Sequence, residues 1–175
     1  PTGNLTVNLT SDDTSEATVV TSIVIPDGQT SSAPFDIDAV DDALLDGTQT
    51  VAISGTANGY YSIDDTVDVL DHETILVTIA AAEIAENDGV AAATAMIHRS
   101  NTDNSADLIV LLPSSDTSEA TVPTSVTIPG GFEAATFDID AVDDDLLDGA
   151  QTVSISGQQA GYYTVSDMLD VTEHE

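Results

Sequence analysis

The feature that most constrains this chain is a duplication. "FDIDAVDDALLDG" at residues 35 to 47 returns as "FDIDAVDDDLLDG" at 137 to 149. The likeness continues on both sides, so that residues 5–73 align with 108–175, with one extra residue in the first copy between Pro26 and Phe35. The offset is 102 to 103 residues, too long for a solenoid turn and fitting for tandem whole domains. Residues 74 to 107, "TILVTIAAAEIAENDGVAAATAMIHRSNTDNSAD", have no counterpart ahead of Leu5. The expected organisation is a complete unit over 74–175 preceded by a partial unit over 1–73.

Within the complete unit, short runs of Val, Ile, Thr and Leu alternate with Gly, Pro, Asn and Asp clusters, which is the pattern of an all-β sandwich. Seven strands are predicted, near 75–80, 90–98, 107–113, 121–128, 134–141, 151–156 and 162–171. In "TFDIDAV" the alternation turns Phe137, Ile139 and Ala141 inward and Asp138 and Asp140 outward. "IPDG" and "IPGG" suit tight reversals. "AAAEIAE" reads as a kinked edge strand, because it lies between two strand-like runs and precedes Asn-Asp-Gly. The partial unit keeps the last five strands. A sandwich short of two strands exposes apolar core and unpaired backbone, so these strands are expected from neighbouring repeats of the same chain or from an identical chain.

Charge narrows the function. Against 32 Asp and Glu there is one basic residue, Arg99, for a formal net charge of -31. Such a chain repels nucleic acid and anionic lipid. Its carboxylates cannot be paired with basic side chains, so neutralisation has to come from solvent cations or protons. No Cys and no Lys are present, which excludes disulfides, thiolate metal sites and lysine isopeptide braces. No apolar run approaches the ~18 residues of a membrane span. The first residue is Pro with no signal-like segment behind it, as in a piece of a longer processed chain.

The acids cluster at Glu86, at Asp116 and Glu119, at Asp143, Asp144, Asp145 and Asp148, and at Glu173 and Glu175. In a seven-stranded sandwich, loops joined by alternate strands share one end, so oxygen ligands from three loops and a tail would converge there. That is the arrangement a six- to eight-coordinate Ca²⁺ requires. These residues resemble the Calx-beta family of immunoglobulin-like sandwiches, which bind calcium at one end. "IAENDG" with Glu86 matches the family's early Glu-x-x-Gly segment, "MIHR" its Val-x-Arg strand, "FDIDAVDDDLLDG" its acidic loop and "LDVTEHE" its acidic final strand. The resemblance implies calcium ligands at Glu86, Glu119, Asp143, Asp144, Asp148, Glu173 and Glu175, and at Glu16, Asp41, Asp42, Asp46, Asp71 and Glu73 in the first unit. The endings "DHE" and "EHE" stand where the family has consecutive aspartates. An imidazole is a poor ligand for a hard cation, so His72 and His174 are expected to point away.

Arg99 is expected to serve as a local partner for a carboxylate, and the four tyrosines as strand-edge packing. Asn4 and Asn8 each fit Asn-x-Thr. The function expected is a calcium-dependent structural repeat of a secreted or cell-surface protein, a spacer in an adhesin, filament or surface layer. Two alternatives are a carbohydrate- or protein-recognition module, which 4% aromatics and no Trp disfavour, and a salt-adapted acidic domain without specific calcium sites. No enzyme is expected, because glycoside hydrolysis needs two acids in unlike environments across a cleft and these acids crowd one loop, twice.

Overall fold

The computed structural model describes residues 3–173, which form strands and one 3-10 turn, with no α-helix among them. The chain divides into two compact units, Pro1–Asp42 with Asp46–Asp71 and Ala43–Leu45 with His72–Glu175.

The first unit contains β1 (Leu5–Ser11), β2 (Ala17–Val19), β3 (Ser22–Ile25), β4 (Ile37–Ala39), β5 (Gln49–Thr56) and β6 (Ile63–Val69). One sheet runs β3-β1-β5-β6, antiparallel throughout, and β2 pairs with β4 in a second layer. Its core is small: Ala17, Val51 and Ile53, with Val19, Val67 and Val69 packed against them.

The second unit contains β7 (Glu73–Ile79), β8 (Glu83–Ala85), a 3-10 turn at Glu86–Asp88, β9 (Ala93–Arg99), β10 (Leu108–Leu111), β11 (Ala120–Thr121), β12 (Ser125–Ile128), β13 (Ala134–Ala141), β14 (Gln151–Ile155), β15 (Tyr162–Val165) and β16 (Asp167–Thr172). One sheet is β11-β13-β9-β7-β15. The facing layer joins β10-β12 to β14-β16-β8 through bridges from Leu111 to Gln158 and from Ser114 to Ile155. Period-two alternation drives this packing. Ile75 and Val77 of β7, Ala95 and Ile97 of β9, Phe137 and Ile139 of β13, Val153 and Ile155 of β14, and Leu169 and Val171 of β16 meet in one core, each large aliphatic contributing roughly 1.5–3 kcal/mol by burial. Asp138 stays exposed, as the alternation predicts.

Three runs change sheets partway: β7 into β8, β11 into β12, and β15 into β16. Counted once each, they restore the seven runs expected. The stretches 121–128 and 162–171 are therefore broken where the sequence suggests continuity. At the first break, Leu112 N donates to Thr124 O at 3.1 Å, and the twin break has Leu9 N donating to Thr21 O at 3.0 Å. Pro123 stands in one copy and Val20 in the other, so this shared bond, rather than proline, marks the switch. At the last, Asp167 Oδ2 accepts Ile79 N at 2.8 Å, a carboxylate bonding the backbone N–H at the end of β7.

Candidate metal centre

Strand direction gathers the acids of the second unit. β8 and β16 are parallel with Ala85 opposite Thr172, so the next residues, Glu86 and Glu173, emerge side by side. β11 and β13 are antiparallel with Ala120 opposite Ala141, which sets Glu119, just before β11, beside the start of the acidic loop that follows β13. Val142 N donates to Glu119 O at 2.9 Å, pinning that junction. The 3-10 turn carrying Glu86 is held by Ala85 N donating to Asp88 Oδ2 at 2.8 Å and by Gly89 at φ 70°, a left-handed position that glycine adopts without steric penalty. Ala141 N closes onto Gly89 O at 2.9 Å.

Ligand atoms of Glu86, Asp148 and Glu173 lie within 4.8 Å of one another. Two oxygens on opposite sides of one Ca²⁺ stand about 5 Å apart, so this spacing admits a shared ion. Glu173 Oε2 also accepts Asp148 N at 2.9 Å and Gly149 N at 3.1 Å, fixing the loop to the end of β16. Glu86 and Glu119 are only 2% and 4% exposed, and Oε2 of each is buried with no hydrogen-bond partner. Buried polar atoms are nearly always satisfied, so two orphaned carboxylate oxygens at one place call for a cation or a proton.

Electrostatics agree with the geometry. Glu86 is pushed up to about 7, first by burial and then by the negative fields of Glu173, Glu119, Asp144 and Asp148. Glu119 is raised by burial and then by Asp148, Asp116, Asp144 and Glu173. These acids resist ionising together. An all-oxygen, all-anionic donor set suits a hard divalent cation.

The first unit repeats part of this arrangement. Glu16, Asp41, Asp42, Asp46 and Asp71 line a cavity of about 20 Å³ together with Val40, Val69 and Leu70, space for about one water-sized sphere. Glu16 is buried, and its carboxyl is raised by that burial and then by Asp46, Asp42, Asp13 and Asp71. Gly47 N donates to Asp71 Oδ2 at 3.2 Å, as Gly149 N does to Glu173. No residue of the first unit occupies the place of Glu86, because β8 and its turn have no counterpart among the described residues there.

The other sequence-predicted ligands are placed as follows. Asp143 is exposed. Glu175 and His174 lie outside the described residues. Glu73 is buried as the first residue of β7 in the second unit, where it accepts a hydrogen bond from Ser100 Oγ. His72 stacks on Tyr163, with ring centroids 4.7 Å apart. Tyr162 packs against the core, and its hydroxyl donates to Asn101 Oδ1 at 2.8 Å. Arg99 departs from expectation. It is 3% exposed, and its guanidinium donates to the carbonyls of Phe132, Asn104 and Ala106 at 2.7–3.2 Å rather than to a carboxylate. A lone arginine satisfied by backbone holds loops together.

No family model and no curated protein matches this chain. Among solved structures it is similar to the apo form of the Calx CBD1 domain, at 16% identity over 59% of this chain and 100% of that one, with a TM-score of 0.43. It is also similar to extracellular cadherin domains 3–6 of protocadherin gamma B2, at 10% identity over 95% of this chain and 39% of that one, TM-score 0.41. A third is a β-glucuronidase of glycoside hydrolase family 2, at 11% identity over 97% of this chain and 18% of that one, TM-score 0.45. The chemistry of the acidic end rests on its own residues.

Proposed function

We propose that the chain is a calcium-binding structural repeat of a secreted or cell-surface protein, a non-catalytic spacer set among neighbouring repeats. The observation that carries this reading is the pair of orphaned, buried carboxylate oxygens of Glu86 and Glu119, set among Asp144, Asp148 and Glu173. Those five side chains would hold the ion, which supplies the positive charge that the sequence withholds. Glu86 arrives from the turn after β8, Glu119 from before β11, Asp144 and Asp148 from the loop after β13, and Glu173 from the end of β16. Their mutual repulsion opens the loops when they are ionised alone, and a shared divalent ion reverses its sign. A ligand that binds only the folded form adds RT ln(1 + [L]/Kd), about 2.7 kcal/mol at a hundredfold excess over Kd.

The test is thermal unfolding of the whole chain in chelator and then in millimolar calcium, with magnesium and high-sodium arms. A calcium-specific rise of several degrees supports the reading. An equal response to sodium favours the second reading, a salt-adapted acidic surface, for which the exposed Asp36, Asp38 and Asp138 supply the motive.

A further inference from the structure

The first unit carries an open apolar groove of about 890 Å³, whose lining includes Leu5, Val7, Ile25, Phe35, Ile37 and Ile63. The duplication supplies its twin with the groove filled. Phe137 and Ile139, the counterparts of Phe35 and Ile37, are 6% and 0% exposed, against 38% and 43% in the first unit. Val110 and Ile128 are fully buried where Val7 and Ile25 are half-buried. The cover in the second unit is β7 and β9. A Cβ placed on Gly157 would meet Ile75 Cγ2 and Ile97 Cδ1 at 2.7 Å, whereas the nearest atoms to one on Gly55, the same position in the first unit, belong to Val7, Leu9 and the Ile63 carbonyl at 3.4–3.9 Å. Both flanking edges are open as well. β13 pairs with β9, and β15 with β7, while among the described residues β4 pairs only with β2 and Tyr61, the counterpart of Tyr163 in β15, is fully exposed.

We propose that this groove is the docking site of a strand pair of the β7–β9 kind, an extended segment whose inward positions carry the aliphatic pattern of Ile75, Val77, Ala95 and Ile97. It adds two central strands between β4 and residues 60–63, with main-chain bonds on both edges and side chains seated over Gly55. The twin groove identifies this occupant, because the same lining residues are covered by such a pair in the second unit. A second copy surrendering its own β7–β9 is a poor donor, since it would open its second unit while closing a first, with no net apolar burial.

The test adds a synthetic peptide of residues 73–99 to the full chain, in chelator and moderate salt, and reads amide exchange. Protection gained at residues 35–39 and 60–67 at one peptide per chain, absent with a scrambled peptide and lost in Gly55→Val, is the expected result. The Cβ of Gly55→Val makes only ordinary contacts, none nearer than 3.4 Å, in the free chain, so its own exchange pattern should match the parent before peptide is added. Because a free β-rich peptide self-associates, a second form of the chain carries residues 74–107 grafted ahead of Leu5, with the same readout and the same Gly55→Val control. Failure of the graft to protect those residues, protection that survives Gly55→Val, or concentration-dependent dimers that protect the groove without peptide would each overturn the proposal.

Discussion

Replacing Gly157 with Ala and, separately, Gly55 with Ala puts the same methyl at the same place in two copies of one fold. Neither glycine has a positive φ, so neither needs glycine for its backbone, and the substitution alone is worth about 0.4–1 kcal/mol in favour of the folded state through reduced freedom of the unfolded chain. At Gly157 the added carbon stands 2.7 Å from Ile75 Cγ2 and Ile97 Cδ1 and 3.2 Å from Val110 Cγ1. The Ile75 methyl sits on a β-branched carbon of a central strand and cannot swing aside, and overpacking of this kind costs roughly 1–3 kcal/mol. At Gly55 the nearest atoms are at 3.4 and 3.7 Å, ordinary contact. The expected net effects are a loss of about 1–2 kcal/mol in the second unit for Gly157→Ala and a small gain in the first unit for Gly55→Ala. At about 4–8 °C per kcal/mol for domains of this size, the second unit falls by roughly 5–15 °C and the first rises by a few degrees. Scanning calorimetry reads the transitions, and amide exchange at Ile53 and Ile97 assigns them to units. Shifts of the same sign and size in both variants would refute the claim that β7 and β9 close one groove and leave the other open.

Further measurements address the acidic end and the lone arginine. Folding favours the protonated form of Glu86, because its carboxyl is raised from 4.5 to about 7; that contribution is fully present below about 4.5 and is lost as pH rises through about 7. In chelator the second unit should therefore melt lower at pH 8 than at pH 5, and Glu119, raised in the same direction, adds to the slope. Glu86→Gln, a permanent neutral stand-in, should flatten the slope and abolish the calcium response together; a mutant that keeps both would remove Glu86 from the site. Arg99→Leu strips a buried donor from the carbonyls of Phe132, Asn104 and Ala106 and should cost about 1.5–3 kcal/mol, read as a fall in the denaturant midpoint of the second unit. A change within a few tenths would mean that solvent reaches those carbonyls.

Much of the fold is legible because its signals are local. Alternation in "TFDIDAV" marks the inward face of β13, and the repeat marks which stretches form equivalent structures. The sheet switches are not legible. Period-two alternation states which residues face inward, not which of two sheets they join, so β15 and β16 read as one strand until the Asp167 carboxylate is seen on Ile79 N. The role of Arg99 is hidden for a similar reason, since its acceptors are carbonyls, which every residue has and no side-chain pattern advertises. Glu73 shows the limit of alignment. The duplication sets it against Glu175 at the end of a unit, yet in three dimensions it opens β7. Convergence of Glu86 with Glu173 at one end follows from strand parity, but what sets them side by side, the parallel pairing of β8 with β16, lies in no single stretch of sequence.

The two units together work as a controlled comparison. They share the acidic loop, the aromatic and aliphatic inward residues and the glycine that seats the central strands, and they differ in whether a segment like residues 73–99 is present. In the second unit that one segment does two things at once. Its inward aliphatics, Ile75, Val77, Ala95 and Ile97, close the core, and the turn between its strands delivers Glu86 to the acids around Asp148 and Glu173. Hydrophobic closure drives the segment into place by burial, and it brings a carboxylate into a site where burial and like charges push its protonation toward neutral pH. The apolar gain thus holds an electrostatically unfavourable group against its neighbours, and a proton or a cation relieves what remains. In the first unit, which has neither cover nor a counterpart of Glu86 among its described residues, the core is open and the acidic set is incomplete, and both follow from the lack of one segment.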